Sequence, residues 1–197
     1  MSDLGGRLPL LDIDTLDAEQ RELLNYLQTR VVPWADASGF RATTADGTFI
    51  GPFNAALRSP IVAGAFLQLQ ASEEHHTSFS DRVRQVVILA VGAAWAADYE
   101  TYAHSAVARR SGIPADAVRR LAEGSLSDAL GDDEKVAYRF SLQLSRSHRI
   151  DDAIFAEARK LFGERGITDI VLLAGTYHVV CALLNAFNVP APAENPN

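Results

Sequence analysis

Cysteine is almost absent from this 197-residue chain. Cys181 stands alone, so no disulfide can close within the chain and no pair of thiols can cycle inside one copy of it. Basic residues are also short: 18 lysines and arginines face 25 aspartates and glutamates, a formal net charge of −7. The densest basic stretch is the pair Arg109-Arg110. Nucleic acid is therefore disfavoured as a partner, because phosphate binding wants a basic face. The first residues, Met1 to Pro9, lack the charged start and apolar core of a secretory leader. Two apolar stretches occur, Val83 to Ala97 and Ile167 to Val189. The first is too short to span a bilayer, and Asp169, His178 and Asn185 interrupt the second. Both read as buried helices of a soluble, cytoplasmic protein with no membrane contact. Sustained polar–apolar alternation and any repeat of 20–50 residues are missing too, which leaves out strands and solenoids.

What is present is ordinary globular composition, 48% hydrophobic and 22% charged, in a length that suits one domain. The expected boundaries are an N-terminal arm at 1–16, a helical domain at 17–187 and a flexible tail at 188–197. Asp17 opens the first helix, with Gln20 placed for a capping box. That helix runs to about Arg30, and Pro33 stops it. Trp34 to Ile50 carries Gly39 and Asp46-Gly47 without helical periodicity, so it reads as a long loop able to cover a site, its own or a neighbour's. Short helices begin at Gly51-Pro52 and Ser59-Pro60, the latter reaching about Ser72. Ser78 and Asp81 cap the apolar Val83 helix, and Asp98 begins a separate helix ending at Gly112. Further helices follow at about Pro114–Glu123, Asp132–Ser145 and Asp151–Phe162. After Gly163, Thr168 caps a last apolar helix that reaches Phe187. The Val83 helix and the last one are apolar nearly all round and must be surrounded, which favours a homo-oligomer.

Three constellations can carry chemistry. In Tyr99-Glu100-Thr101-Tyr102-Ala103-His104, the carboxylate and imidazole are four apart and share a helix face. A carboxylate beside an imidazole orients the ring and raises its proton affinity, giving a general acid/base near neutral pH. On spacing alone the commoner meaning is an exposed ion pair. Gly51-Pro52-Phe53-Asn54 offers an amide to a substrate carbonyl and a ring to wall a pocket, or else it is only a helix-start turn. Tyr177, His178 and Asn185 are polar groups on a very apolar helix. They are either satisfied in the core or an interface, or they line a cavity. A metal site needs three or more convergent ligands. Glu100 and His104 supply two, so no metal is expected. Cys181 reads as a small buried apolar residue.

Taken in order, Gly51-Pro52-Phe53-Asn54 with Ser59-Pro60, the Arg84–Val91 run, Tyr99-Glu100-x-Tyr102-Ala103-His104, Gly112, and Gly175-x-Tyr177-His178 with Leu184-Asn185-Ala186-Phe187-Asn188-Val189-Pro190 resemble the carboxymuconolactone decarboxylase-like family. The resemblance covers about residues 5 to 192. It implies the all-α, single-domain alkylhydroperoxidase D-like fold and assembly into dimers, trimers or hexamers. The peroxidase branch of that superfamily uses a Cys-x-x-Cys four residues before a histidine, with an upstream glutamate relay. Matched on His104, those positions fall on Ala97, Glu100 and, for the relay, Gln85, so the resemblance implies no thiol peroxidase activity. The decarboxylase branch carries a Glu-x-x-x-His, which Glu100 and His104 match. It implies a cofactor-free lyase or isomerase acting on a small carboxylated lactone or carbonyl compound. In that scheme protonated His104 delivers a proton to carbon, Glu100 holds the ring, and Asn54 stabilises the oxyanion. Phe53, Tyr99, Tyr177 and His178 complete the expected substrate-binding set. A homologue that binds a ligand or partner without turnover is the alternative.

Overall fold

From Val86 to Val91 every side chain is buried. A helix apolar on all sides has no face to give to water, so the rest of the chain must wrap it. In the computed structural model, which describes residues 4–193, this is what the chain does. The described elements are a 3-10 turn at Ile13–Thr15 followed by α1 (Ala18–Ser38), α2 (Pro52–Ala56), α3 (Pro60–His76), α4 (Asp81–Trp95), α5 (Asp98–Arg110), α6 (Ala115–Ala122), α7 (Asp132–Ser147) and α8 (Asp152–Ala186). The wrapped helix is α4, which packs on α5, α6, α7 and α8. Among the described residues the only strand-like pairing is an isolated bridge between Thr43 and Phe49. The architecture is all-α, as the periodicity predicts.

Helix starts follow the expected capping chemistry. Asp17 accepts from the Gln20 amide and Gln20 returns the bond to the Asp17 N–H, a capping box. At α4 the cap is Ser80, whose hydroxyl accepts from Val83 N–H at 3.2 Å, rather than Ser78. The stop signals are less faithful. Pro33 lies inside α1, which continues to Ser38. Leu23, Leu27, Val31 and Ala35 form one buried stripe at four-residue spacing, and packing along that stripe carries the helix across the lost hydrogen bond. Gly39 ends it in the left-handed region at φ 82°, its N–H donating to Ala35 and Asp36 carbonyls. The irregular stretch therefore begins after α1 and not at Trp34. Similarly, α3 runs past Ser72 to His76, so His75 and His76 lie in its last turn.

Gly163 breaks α8 with φ 66° and ψ −177°, the interruption expected between the last two helices. Helix resumes at once, however. Thr168 lies inside it, donating to the Glu164 carbonyl, so it is not a cap. Residues 188–193 fold back onto the domain: Val189 is buried and its N–H donates to Leu184. The expected flexible tail is thus packed through this stretch, and 194–197 lie outside the described residues.

Candidate functional site

A buried charged group must find partners or lose its charge. Four helices bring such groups together around His104. From α4 comes Gln85, whose Oε1 lies 2.9 Å from His104 Nδ1. An amide oxygen can only accept, so the hydrogen resides on Nδ1 and Nε2 carries the lone pair. From α5 itself comes Glu100, one turn earlier, with Oε1 3.4 Å from that Nε2. From α8 comes Tyr177, its ring edge-on to the imidazole at 5.0 Å. From α1 comes Trp34, tilted over the same ring at 6.0 Å. Glu100 and His104 are 3% and 5% exposed, whereas Trp34 is 37% exposed.

Burial decides the protonation of this pair. It pushes the Glu100 carboxyl up to about 8. Burial, with a smaller contribution from the Arg84 guanidinium, pushes His104 down to about 3. Near pH 7 both groups are therefore neutral: a carboxylic acid facing an unprotonated imidazole nitrogen. This corrects the expectation that the carboxylate raises the proton affinity of the ring. The ring is oriented by Gln85, and desolvation outweighs any attraction from Glu100. The Tyr177 phenol is also held protonated by burial, which leaves it a hydrogen-bond donor.

Arg84 brings the one fixed charge into the group. Burial alone would pull its pKa down, but the Glu73 carboxylate in contact with it offsets this, so it stays cationic. Its Nη2 meets Glu73 Oε2 on α3. Arg84 Nη1, both Glu73 carboxylate oxygens and Glu100 Oε1 are buried without a hydrogen-bond partner among the described residues. Each such atom costs about 1–3 kcal/mol, more when charged, so the cluster holds unused bonding capacity.

The remaining expected substrate-binding residues lie elsewhere. The amide of Asn54 is occupied by the arm. Its Oδ1 accepts from Leu11 N–H at 3.1 Å, and its Nδ2 donates to the Leu8 and Pro9 carbonyls. That amide is not free for an oxyanion. Phe53 packs edge-on against Phe49 at 6.0 Å. The Tyr99 hydroxyl donates to the Arg41 carbonyl at 2.7 Å. Gly51, at φ 66°, allows this, since a Cβ there would sit 2.3 Å from the Tyr99 ring. The Gly-Pro-Phe-Asn motif is thus a structural joint. His178 bonds to Ser145 Oγ at 2.8 Å and packs on Trp95. Because the Ser145 hydroxyl donates to Ser141, His178 Nε2 is the donor in that contact. Cys181 is fully buried, and its thiol is pushed up by burial, away from the thiolate form that thiol chemistry needs.

Trp34, Arg84 and Glu73 are absent from the expected site, and Gln85 entered only through the resemblance. One signal was available: Arg84-Gln85 interrupts an otherwise apolar run, and such residues must be partnered. Glu73 and Trp34 come from other helices, where spacing carries no information. Two surface hollows, of about 310 and 260 Å³, are lined respectively by Leu10, Asp12 and Asp46 and by Phe140, Phe155 and Val171, among others. Neither touches Glu100 or His104.

No protein-family model matches this sequence, and no curated protein is a significant match. Similarity appears in solved structures. A peroxidase-related protein from Ralstonia eutropha JMP134, described as an alkylhydroperoxidase AhpD core, superposes with a TM-score of 0.74 at 17% identity, covering 96% of this chain and 94% of that one. A peroxidase-related protein from Silicibacter sp. TM1040 gives 0.69 at 19% identity, with 96% and 93% covered. The debrominase Bmp8, as a point variant in complex with 2,3,4-tribromopyrrole, gives 0.70 at 17% identity, with 93% and 90% covered. The fold is the alkylhydroperoxidase D-like fold.

Proposed function

We propose that Glu100 and His104 are the proton-transfer centre of a carboxymuconolactone decarboxylase-like enzyme that works without a cofactor on a small carboxylated lactone or carbonyl compound. The observation that carries this reading is a carboxylic acid kept neutral by burial beside the free nitrogen of a neutral imidazole. Such a pair has a proton to give at one atom and a place for one at the next. The roles differ from the simple histidine-acid scheme. As the bond to the carboxylate carbon breaks and carbon dioxide leaves, the electron pair passes into the carbonyl-stabilised carbanion. Glu100 then delivers its proton to carbon and is recharged from solvent. Neutral His104 Nε2 is the group positioned to take a proton, which suits an isomerisation of the same substrate class. The Tyr177 phenol supplies a donor for the developing oxyanion. Trp34, the least covered ring against His104, is the group whose displacement would admit substrate. The debrominase of the same fold is seen with a small ring compound, which is compatible with a substrate of that size.

The test is carbon dioxide release and solvent-deuterium incorporation from a panel of carboxylated lactones and 3-oxo acids. Glu100→Gln and His104→Ala should each lower turnover by about 10²–10⁴-fold, and wild-type activity should fall as pH rises through about 8, where Glu100 loses its proton. Hydroperoxides should not be turned over, since Ala97 and Glu100 stand where the peroxidase branch has thiols.

A second reading has one observation in its favour: Glu100 and His104 are almost wholly covered and neither described hollow adjoins them. Under it the pair is an enclosed core feature of a non-catalytic binding homologue. Inactivity of both wild type and Trp34→Ala on the whole panel would favour that reading and defeat the first.

A further inference from the structure

α3 buries a single side chain, Glu73. Its carboxylate reaches Arg84, whose side chain is 12% exposed. Two planar groups able to meet as a fork instead make a single ion-pair contact, Nη2 to Oε2, and leave Arg84 Nη1 and both Glu73 oxygens buried without a hydrogen-bond partner among the described residues. A guanidinium presents parallel N–H groups that match a carboxylate oxygen for oxygen, so the end-on contact uses only part of what Arg84 can offer. Arg84 also belongs to the reacting group by position, because its charge acts on both His104 and Tyr177. It adjoins Gln85, which holds the imidazole.

We infer that Arg84 is the carboxylate-binding residue of the Glu100–His104 centre, and that Glu73 is a resident carboxylate which the carboxylate of a small organic acid replaces. Charge balance supports exchange over addition. One buried cation faces one buried anion, and a second anion beside Glu73 would be repelled at short range in a poorly screened interior. When the incoming acid takes the fork, Glu73 swings out on the exposed side of α3 and the net charge of the cluster is unchanged. The neutral Glu100 does not compete for Arg84. Ligands are thereby selected for a planar carboxylate, and the amide of the same acid has nothing to offer the guanidinium. The inference rests on the Glu100–His104 reading for what the bound acid then undergoes, but its test reads binding alone.

Acetate and benzoate, with acetamide and benzamide as neutral counterparts, are titrated into the full chain by calorimetry and by tryptophan fluorescence, which reports on Trp34 and Trp95 together. Glu73→Gln removes the resident anion with its shape retained, and should tighten binding of the acids by about tenfold or more, as expected when a competing state is withdrawn. The double variant Glu73→Gln/Arg84→Gln removes both charges together, so no lone buried charge remains to unfold it. It should lose that affinity while its circular dichroism stays native. The amides should bind alike in all three proteins. Failure of Glu73→Gln to bind either acid more tightly than wild type, or retention of the affinity in the double variant, overturns the inference. His104→Ala separates the two proposals. If it keeps acid binding and no protein turns over the substrate panel, the proton-transfer reading fails and Arg84 stands. If turnover depends on His104 while binding ignores Glu73 and Arg84, the reverse holds.

Discussion

At the scale of the residue, Glu100 and His104 tie stability to pH in opposite senses. The folded-state pKa of Glu100 is raised from 4.5 to about 8. The native chain therefore keeps a proton that the unfolded chain releases, and the associated stability is complete below pH 4.5 and is lost as pH climbs to about 8. His104 is depressed from 6.5 to about 3. Its contribution is complete above pH 6.5 and is lost as pH falls to about 3. Between 4.5 and 6.5 the two slopes cancel, so the pair gives a plateau there and a decline on either side. Thermal unfolding followed across pH should show Glu100→Gln without the decline between 6.5 and 8, and His104→Gln without the decline between 4.5 and 3. Parallel curves for all three proteins would contradict the buried neutral pair. Gln85 offers a complementary change. In Gln85→Glu the ring would donate to an anion and not an amide, so the proton affinity of His104 should rise, visible as an upward move of its titration in proton NMR. No such move would mean that Gln85 does not hold the ring.

At the scale of the element, the fold was legible wherever local chemistry decides and illegible wherever packing does. Asp17 with Gln20, Pro60 and Asp98 begin helices as the pattern foretells, because a capping box, a first-turn proline and a first-turn acid each act within one turn. Pro33 misleads because its penalty is local while the compensation, the Leu27–Val31–Ala35 stripe, lies in tertiary contact. Replacing Pro33 with Ala should accordingly stabilise the protein by about 1–3 kcal/mol, up to the full helix-interior cost of proline, read as a raised denaturant midpoint. Destabilisation would show that the fixed backbone angle of the exposed Pro33 is itself needed. The candidate site follows the same rule. The Glu100–His104 pairing was legible because both lie on α5 one turn apart. Their protonation, and the arrival of Gln85, Arg84 and Tyr177, depend on how α4 and α8 enclose α5, which no spacing encodes. The Gly51–Asn54 motif was visible but its purpose was not. An amide that ties down Leu8, Pro9 and Leu11 looks, in sequence, the same as one awaiting a substrate.

At the scale of the whole molecule, α3 and α8 pack on one another and both leave large aliphatic side chains in water. Ile61, Val62 and Leu69 are exposed on α3, and Val171, Leu172 and Val179 on α8. These six are most of the large apolar side chains exposed among the described residues, and their concentration on two packed helices marks an interaction face. We propose that a second copy of this chain covers it; of the two apolar helices, α4 is already wrapped by its own chain, and only α8 contributes to this face. Light scattering on the purified protein should give at least a dimer. Val62→Glu with Leu172→Glu should shift it toward the monomer with helicity unchanged. A wild-type monomer at tens of micromolar would refute the proposal.

The lone thiol has a practical consequence. Cys181 sits fully enclosed in α8, packed among groups that must separate before any reagent can reach it. A chromogenic disulfide reagent would therefore colour only those molecules whose last helix has come away, one event per chain, with no second thiol to confuse the count. The native chain thus carries its own clock for local opening, readable without a mutation wherever the released thiol can ionise.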